Sequence, residues 1–220
     1  VLLANGELVS CSESENKELF FATCGGMGLT GIILDATFGL KKVPSASINQ
    51  RTQAAQNLNE CMDIFDSAEE SEYSVAWIDC LARRKELGRS LVHTGNHSAE
   101  GIKESVTRTE LTIPFATPAF FLNKYSIRIF NELMYQSKGL RKKSKQVSYE
   151  PYFFPLDGIK NWNLLYGPKG FIQYQFFVPL DCSKEAIPII LKKIADAGKA
   201  PSLSVLKKFG EGNNNYLSFP

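Results

Sequence analysis

The chain is poor in the residues that most often carry chemistry. Only two histidines, His93 and His97, occur in 220 residues. They stand four apart with no carboxylate or thiolate beside them, so no metal site is expected and a polar loop accounts for them. Five cysteines, Cys11, Cys24, Cys61, Cys80 and Cys182, form no C-x-x-C pair. Odd in number, widely spaced and without neighbouring histidines, they fit a reducing, cytoplasmic setting best. There is no run of about 18 apolar residues that could cross a membrane as a helix, and no basic-then-apolar leader opens the chain. A surplus of one charge is missing too: 25 lysines and arginines face 23 acids, a formal net charge of +2. Nothing global then attracts nucleic acid or an anionic surface, and any basic site is local. No acid–base dyad, Ser/His pair or carboxylate cluster stands out, which leaves hydrolase mechanisms without support.

What the chain does have is hydrophobic patterning, 44% of its residues, enough for one good core. Its most informative stretch is Glu18-Leu-Phe-Phe-Ala-Thr-Cys-Gly-Gly-Met-Gly-Leu-Thr-Gly-Ile-Ile33. A dinucleotide fingerprint G-x-G-x-x-G follows a strand and opens a helix, so that the pyrophosphate meets the helix N-terminus. Here Gly26-x-Gly28-x-x-Gly31 follows a helix-like run, expected to be capped by Asn16 and to extend through Phe21, and it leads into a strand over Ile32 to Val43. The order is reversed. Such a turn either lets a cofactor approach the backbone, with N–H groups aimed at it, or simply closes a helix and tightens a turn.

Val1-Leu2-Leu3 and Ala4-Asn-Gly-Glu-Leu-Val9 read as a hairpin already under way, turning at Asn5-Gly6, and the expectation is a piece of a longer protein. Pro44-Ser-Ala-Ser47 is a composition break and marks a boundary between residues 1–43 and 44–220. The spacing of Ala55, Leu58, Cys61, Met62 and Phe65 predicts a helix over Gln53–Ser67. Tyr73–Asp79 alternates as a strand with Trp77 on the face of Tyr73 and Val75. Residues 87–122 read as loop-rich, Ile127–Tyr135 as a short apolar helix or strand, and Lys138, Arg141, Lys142, Lys143 and Lys145 as a solvated basic loop. Phe171–Val178 is the most strongly patterned strand, Lys184–Gly198 a helix with Pro188 near its start, and Leu203–Phe209 a last strand. The fold expected is α+β, an antiparallel sheet covered on one face by helices.

On the strand period of two, Gln173 and Gln175 share a face between Phe171 and Phe177. Two amides among aromatics suit a sugar or flavin edge, or else an ordinary exposed face. Lys207 shares a face with Leu203, Val205 and Phe209. It can hold a phosphate or polyol oxygen, or it snorkels from a sheet edge; Lys208, facing oppositely, reads as bland.

Taken together the glycine stretch, Tyr73-Ser-Val-Ala-Trp-Ile-Asp79, Phe154-Pro-Leu-Asp157, Asn161-Trp-Asn163, Tyr166-Gly-Pro168, Gly170-Phe-Ile-Gln-Tyr-Gln-Phe176 and Lys207-Lys-Phe-Gly210 resemble FAD-linked oxidases of the vanillyl-alcohol oxidase type. The resemblance implies that residues 1–43 are the last part of an FAD-binding domain and residues 44–220 most of the substrate, or cap, domain. It implies FAD as cofactor, approached by Gly25, Gly26, Gly28, Gly31 and Ile33. Trp77, Gln173, Gln175, Lys207 and Phe209 match positions lining the substrate cavity. The phosphate-cradling loop and the catalytic lysine of the family lie outside these 220 residues. The implied substrate is a sugar or polyprenyl-phosphate sugar, oxidised at a secondary alcohol, with a partner reductase completing an epimerisation at the inner membrane face. Phe153 departs from the family pattern, standing where a cavity tyrosine is expected. Two other readings remain: a sugar-lactone oxidase of the same superfamily, and a non-catalytic module binding nucleic acid or anionic lipid through the basic cluster.

Overall fold

A computed structural model describes residues 1–101, 111–118, 122–139, 143–168, 170–198, 201 and 203–217, without the side chains of residues 138, 139 and 143. The chain divides into two compact units, Val1–Lys42 with Phe209–Pro220, and Val43–Lys208.

In the first unit, α1 spans Lys17–Thr23. The Asn5-Gly6 turn forms, with Gly6 at φ 85° and a bridge between Leu2 and Leu8. Asn16 does not cap through its side chain: its backbone sits in the left-handed region, and its amide donates to the Ser10 carbonyl at 2.7 Å. The expected strand over Ile32–Val43 is reduced to one bridge, Leu2 with Ile32. A strand needs a hydrogen-bonding neighbour, and among the described residues only Leu2 provides one. Ile33, Leu34, Phe38 and Leu40 are left exposed.

The second unit is built on a five-stranded antiparallel sheet. Its elements are β1 (Ser47–Ala55), α2 (Leu58–Ser67), β2 (Tyr73–Ile78), β3 (Ser90–His97), β4 (Leu111–Thr112), α3 (Lys124–Gly139), β5 (Lys143–Ser148), α4 (Tyr149–Phe153), β6 (Ile159–Lys160), α5 (Ser183–Ala197) and β7 (Val205–Leu206). The strand order is β5-β1-β3-β2-β7, and β4 pairs with β6 in a separate parallel pair. Strands β1, β2, β3 and β5 with α2 and α3 make a β-α-β-β-α-β unit of split βαβ type, to which β7 adds an edge. The expected α+β class, an antiparallel sheet with helices, is therefore what the chain adopts.

Two central strands escape the sequence patterns. Pro44–Ser47 looks like a break and residues 87–122 like loop, yet β1 and β3 are paired from Ile48–His97 to Ala55–Ser90. Both are polar because one sheet face carries hydrogen-bonding side chains. The helix expected from Gln53 begins only at Leu58, since Gln53–Ala55 finish β1. Its start is fixed by Asn57, whose side chain accepts from Glu60 N at 3.0 Å, while Glu60 Oε2 accepts from Gln56 N at 2.7 Å. This reciprocal cap satisfies two donors that the first helical turn leaves orphaned. The segment of either type at Ile127–Tyr135 lies within helix α3. The basic cluster is not simply a loop: Lys138 falls in α3 and Lys143 and Lys145 on β5, while Arg141 and Lys142 lie outside the described residues.

Helices α2 and α5 cover one sheet face. Ala55, Ala76 and Val92 pack against Cys61 and Phe65 of α2, and Ile78 and Cys80 against Leu58 and Leu191. Burial pushes the Cys61 thiol up to about 11, so it is a small core hydrophobe rather than a nucleophile. Helix α5 forms as expected and stops at Gly198, φ 63°, and the Arg83 guanidinium donates to the carbonyl of Ala195 in its last turn.

Phe171–Val178 forms no strand: its residues are largely exposed and, among the described residues, lack a ladder. High β-propensity describes fitness for a pleated surface and cannot supply the missing neighbour. The last expected strand shrinks to Val205–Leu206, paired with Trp77 and Ala76. Leu206 points into the core. Lys208 shares that direction and is not bland: its Nζ lies 2.8 Å from Asp66 and 3.0 Å from Glu69. The hydrogen bond to Asp66, then that to Glu69, raises the Lys208 pKa, and the bond from Lys208 lowers that of Asp66. A lowered carboxylate stabilises above its unfolded pKa and loses that contribution as pH falls through the folded value; a raised ammonium stabilises below its unfolded pKa and loses it as pH rises through the folded one. The pair therefore contributes between about pH 4 and pH 10. With both carboxylates largely exposed, Lys208→Met lowers stability at neutral pH by no more than about 1 kcal/mol. Urea unfolding shows that deficit shrinking below about pH 4, where the wild-type bridge is itself protonated.

Candidate functional site

The face of the sheet opposite α2 and α5 carries the polar residues that make β1 and β3 hard to recognise. Strand alternation puts Tyr73, Val75 and Trp77 of β2 on it, with Leu91, His93, Gly95 and His97 of β3 and Ile48, Gln50 and Thr52 of β1. In register, Trp77 faces Leu91, Val75 faces His93 and Tyr73 faces Gly95. On the far side of β3, His93 faces Thr52, and Gln50 in turn faces Lys145 of β5.

The two histidines occupy strand positions and are held in opposite tautomers. His93 Nδ1 lies 2.9 Å from Thr52 Oγ1 and 3.2 Å from Gln50 Nε2. An amide nitrogen can only donate, so Nδ1 is the acceptor there and the ring proton sits on Nε2. His97 Nδ1 lies 3.2 Å from the Ser45 carbonyl. A carbonyl only accepts, so this Nδ1 carries the proton. Sequence reasoning missed both roles because it placed the pair in a loop; their i, i+4 spacing, even on a strand, was the available signal. No group of metal-ligating side chains forms among the described residues.

Beside His97 the face is closed by aromatic rings. Tyr73 meets Phe153 edge-on at 4.8 Å, Tyr152 meets Phe153 at 5.0 Å, and His97 meets Tyr73 at 5.6 Å. Gly95 allows this: a Cβ there would lie 2.7 Å from Ile48 Cγ2 and 2.8 Å from the Tyr152 hydroxyl. Burial pushes the Tyr73 and Tyr152 phenols up to about 12, the hydrogen bond to Glu72 adding to the first and the charge of Tyr73 to the second. Val43, Pro44, Ala46, His97, Tyr149 and Phe153 border an open groove of about 520 Å³. Phe153, the departure from the family pattern, is thus part of a hydrophobic wall.

Of the substrate-lining candidates, Trp77 is 7% exposed on this face and pairs with Val205. Lys207 follows Val205 on the same side of the chain and is exposed. Gln173 and Gln175 are exposed on a segment with no ladder, so their shared face is not reproduced by pairing. Phe209 belongs to the first unit.

The cofactor candidates Gly25, Gly26, Gly28, Gly31 and Ile33 all lie in the first unit. Gly26 N donates to the Thr23 carbonyl at 3.0 Å and Leu29 N to the Gly26 carbonyl at 2.9 Å. These N–H groups close the turn and are not aimed outward. At Gly26 a Cβ would fall 2.2 Å from the Ala22 carbonyl oxygen, so only glycine fits. Gly28, at φ 75°, has no heavy atom within 4 Å of that position, leaving its backbone open to close approach. With Met27, Leu29, Ile32 and Ile33 exposed around it, the surface suits the edge of a flat, largely apolar ring. It has no cationic side chain in the turn and does not suit a pyrophosphate.

No protein-family model matches the chain. It is similar to decaprenylphosphoryl-β-D-ribose oxidase of Mycolicibacterium smegmatis, 33% identical over all of this chain and 50% of that protein. An uncharacterised Streptomyces coelicolor protein is 27% identical over 92% of the chain and 59% of its own length. L-gulonolactone oxidase of Bos taurus is 40% identical over a stretch covering 33% of the chain and 16% of that enzyme. The chain thus spans about half the length of the curated relatives it matches end to end. The alignment with the ribose oxidase runs through both units, the glycine turn as well as the sheet, and the shorter match is to a second oxidase: the proteins that the chain is similar to are FAD-linked oxidases.

Proposed function

We propose that this chain is part of an FAD-dependent oxidoreductase that oxidises a secondary alcohol of a sugar or polyprenyl-phosphate sugar. The observation that carries the reading is the similarity to decaprenylphosphoryl-β-D-ribose oxidase over the whole of the chain. In this reading residues 1–43 belong to the FAD-binding domain and residues 44–220 to the cap domain. FAD, when bound, accepts hydride from the carbinol carbon. The chain's own contribution is binding and orientation. Gly28 and Ile33 offer backbone and apolar surface to the flavin edge, and Trp77 stacks on the sugar. Lys207 donates to a phosphate or ring oxygen, and Gln173 and Gln175 offer amides to the sugar. The proton of the oxidised hydroxyl is taken by a group beyond these residues. A lactone oxidase is the second reading, favoured by the match to L-gulonolactone oxidase.

The test is anaerobic bleaching of flavin absorbance in the full-length protein by a polyprenyl-phosphate pentose and, separately, by an aldonolactone. Bleaching by the first alone is expected. A charge-assisted hydrogen bond is worth about 1.5–3 kcal/mol, so Lys207→Ala raises KM for the phosphorylated sugar roughly ten- to a hundredfold. Absence of flavin from the full-length protein overturns the reading, and bleaching by the lactone alone replaces the substrate class.

A further inference from the structure

The ladder that holds β7 is short. Val205 and Leu206 pair with Trp77 and Ala76, Ile78 N donates to the Ser204 carbonyl at 3.1 Å, and among the described residues the pairing stops at Leu206. Two residues further on, a side chain takes over from the backbone. Lys208 Nζ lies 2.8 Å from Asp66 Oδ1 and 3.0 Å from Glu69 Oε1. Asp66 is in the last turn of α2, directly after the buried Phe65, and Glu69 follows the helix end. The Lys208 side chain is only 22% exposed, so its stem lies along the protein while its head group is held at the end of the helix.

This arrangement brackets one residue. Leu206 packs against the cluster that contains Phe65, so Leu206 and Lys208 both reach toward α2. Lys207 stands between them and by alternation projects the other way, the direction of Val205 and its partner Trp77. Its backbone is therefore fixed on both sides, by a core contact before it and by an ion pair after it.

We infer that Lys208, held by Asp66 and Glu69, is a positioning residue: it pins the chain after β7 so that Lys207 is presented on the Trp77 side of the sheet. The inference rests on the proposed role of Lys207 toward a phosphorylated sugar. A lysine on a loose strand end would lose part of its binding free energy to ordering that end, whereas here the backbone is ordered before the substrate arrives. Charge alone has the opposite signature. If Lys208 merely added positive potential for an anionic substrate, neutralising Asp66 and Glu69 would lower KM, because two negative charges disappear. Positioning makes the same neutralisation raise it.

The experiment is steady-state kinetics of the full-length protein with a polyprenyl-phosphate pentose, each variant being checked for folding by circular dichroism. Lys208→Met, and Asp66→Asn combined with Glu69→Gln, are each expected to raise KM about two- to fivefold with kcat unchanged, the ceiling set by what an exposed ion pair can contribute. Lys208→Arg, which keeps the charge, restores KM most of the way. In a Lys207→Ala background Lys208→Met adds nothing further, since the residue it positions is gone. A lowered or unchanged KM on neutralising the two acids overturns the inference, and so does a full further increase in the Lys207→Ala background. A raised KM for Lys207→Ala with none for Lys208→Met overturns it while leaving the substrate reading in place. Flavin that the sugar fails to bleach in the wild-type protein overturns the substrate reading and the inference with it.

Discussion

Asp79→Ala destabilises the sheet unit by about 3–5 kcal/mol, read as a lowered midpoint in urea unfolding followed by circular dichroism. Asp79 is 1% exposed at the end of β2 and its carboxylate is fully engaged. Arg89 Nε and Nη2 lie 2.9 and 2.8 Å from Oδ2. Asn131 Nδ2 and Leu81 N donate to Oδ1 at 2.7 and 3.0 Å. Arg89 continues the network to Glu132, 2.8 Å away, and lies 5.0 Å from the centre of the Tyr135 ring. Burial opposes its charge, but the hydrogen bonds to Asp79 and Glu132 outweigh it and hold its pKa above the ordinary guanidinium value. Removing Asp79 leaves a buried cation and two donors without their acceptor, which costs far more than the intact pair contributes. Double substitution of Asp79 and Arg89 by alanine should cost less than the sum of the singles, because it removes the orphaned charge as well. Arg89→Lys keeps the charge but loses the two-pronged geometry, and falls between. A loss below about 1 kcal/mol for Asp79→Ala would put the network on the level of a surface ion pair and contradict this account.

That network shows why some of the molecule was legible in the sequence and some was not. Strand β2 and helix α5 announce themselves because each presents one apolar side to the core. Asp79 could be read only as the polar end of β2, since its partners lie 10 and 52 residues away and share no local pattern. Strands β1 and β3 conceal themselves for a related reason. Their outer face carries Gln50, Thr52, His93 and His97, whose hydrogen bonds make polar side chains tolerable at the middle of a sheet. Phe171–Val178 misleads in the opposite direction: its alternation is strong, but alternation describes which faces a strand would have, not whether a neighbour exists to pair with it. The faces that Trp77 and Lys207 occupy follow from strand alternation, and the glycine turn follows from composition. The histidine tautomers and the closure of the groove by Phe153 depend on contacts between distant segments. The exposed stripe of α3 is visible in the sequence only as an apolar run; which of the helix's sides meets the sheet is decided by Ile127, Asn131 and Tyr135.

Phe65→Ala is expected to cost about 3–5 kcal/mol, the range for a buried phenylalanine cut back to a methyl group. Phe65 sits in the third turn of α2, 5% exposed, against Ala55, Cys61, Ala76 and Val92, with Ile64 and Leu206 at the edge of the cluster. Its sheet-side neighbours Ala55, Ala76 and Val92 come from three adjacent strands, and two of them are alanines. Small residues there let the helix approach closely, and the ring fills the space they leave. Alanine in its place leaves a cavity that cannot collapse, because β1, β3 and β2 are fixed to one another by their ladders. Phe65→Leu retains most of the volume and should cost less than about 1.5 kcal/mol. The position also bears on the proposed substrate face. Ala76 lies under Phe65 and is followed by Trp77 on the other side of the sheet, so loosening α2 frees β2 to shift and carries the indole with it. In the full-length protein, Phe65→Ala at a temperature where it remains folded should raise KM for the proposed sugar substrate while leaving flavin absorbance unchanged. An unchanged unfolding midpoint would place Phe65 outside the core, and unchanged KM in a clearly destabilised variant would uncouple the helix-covered face from the substrate face.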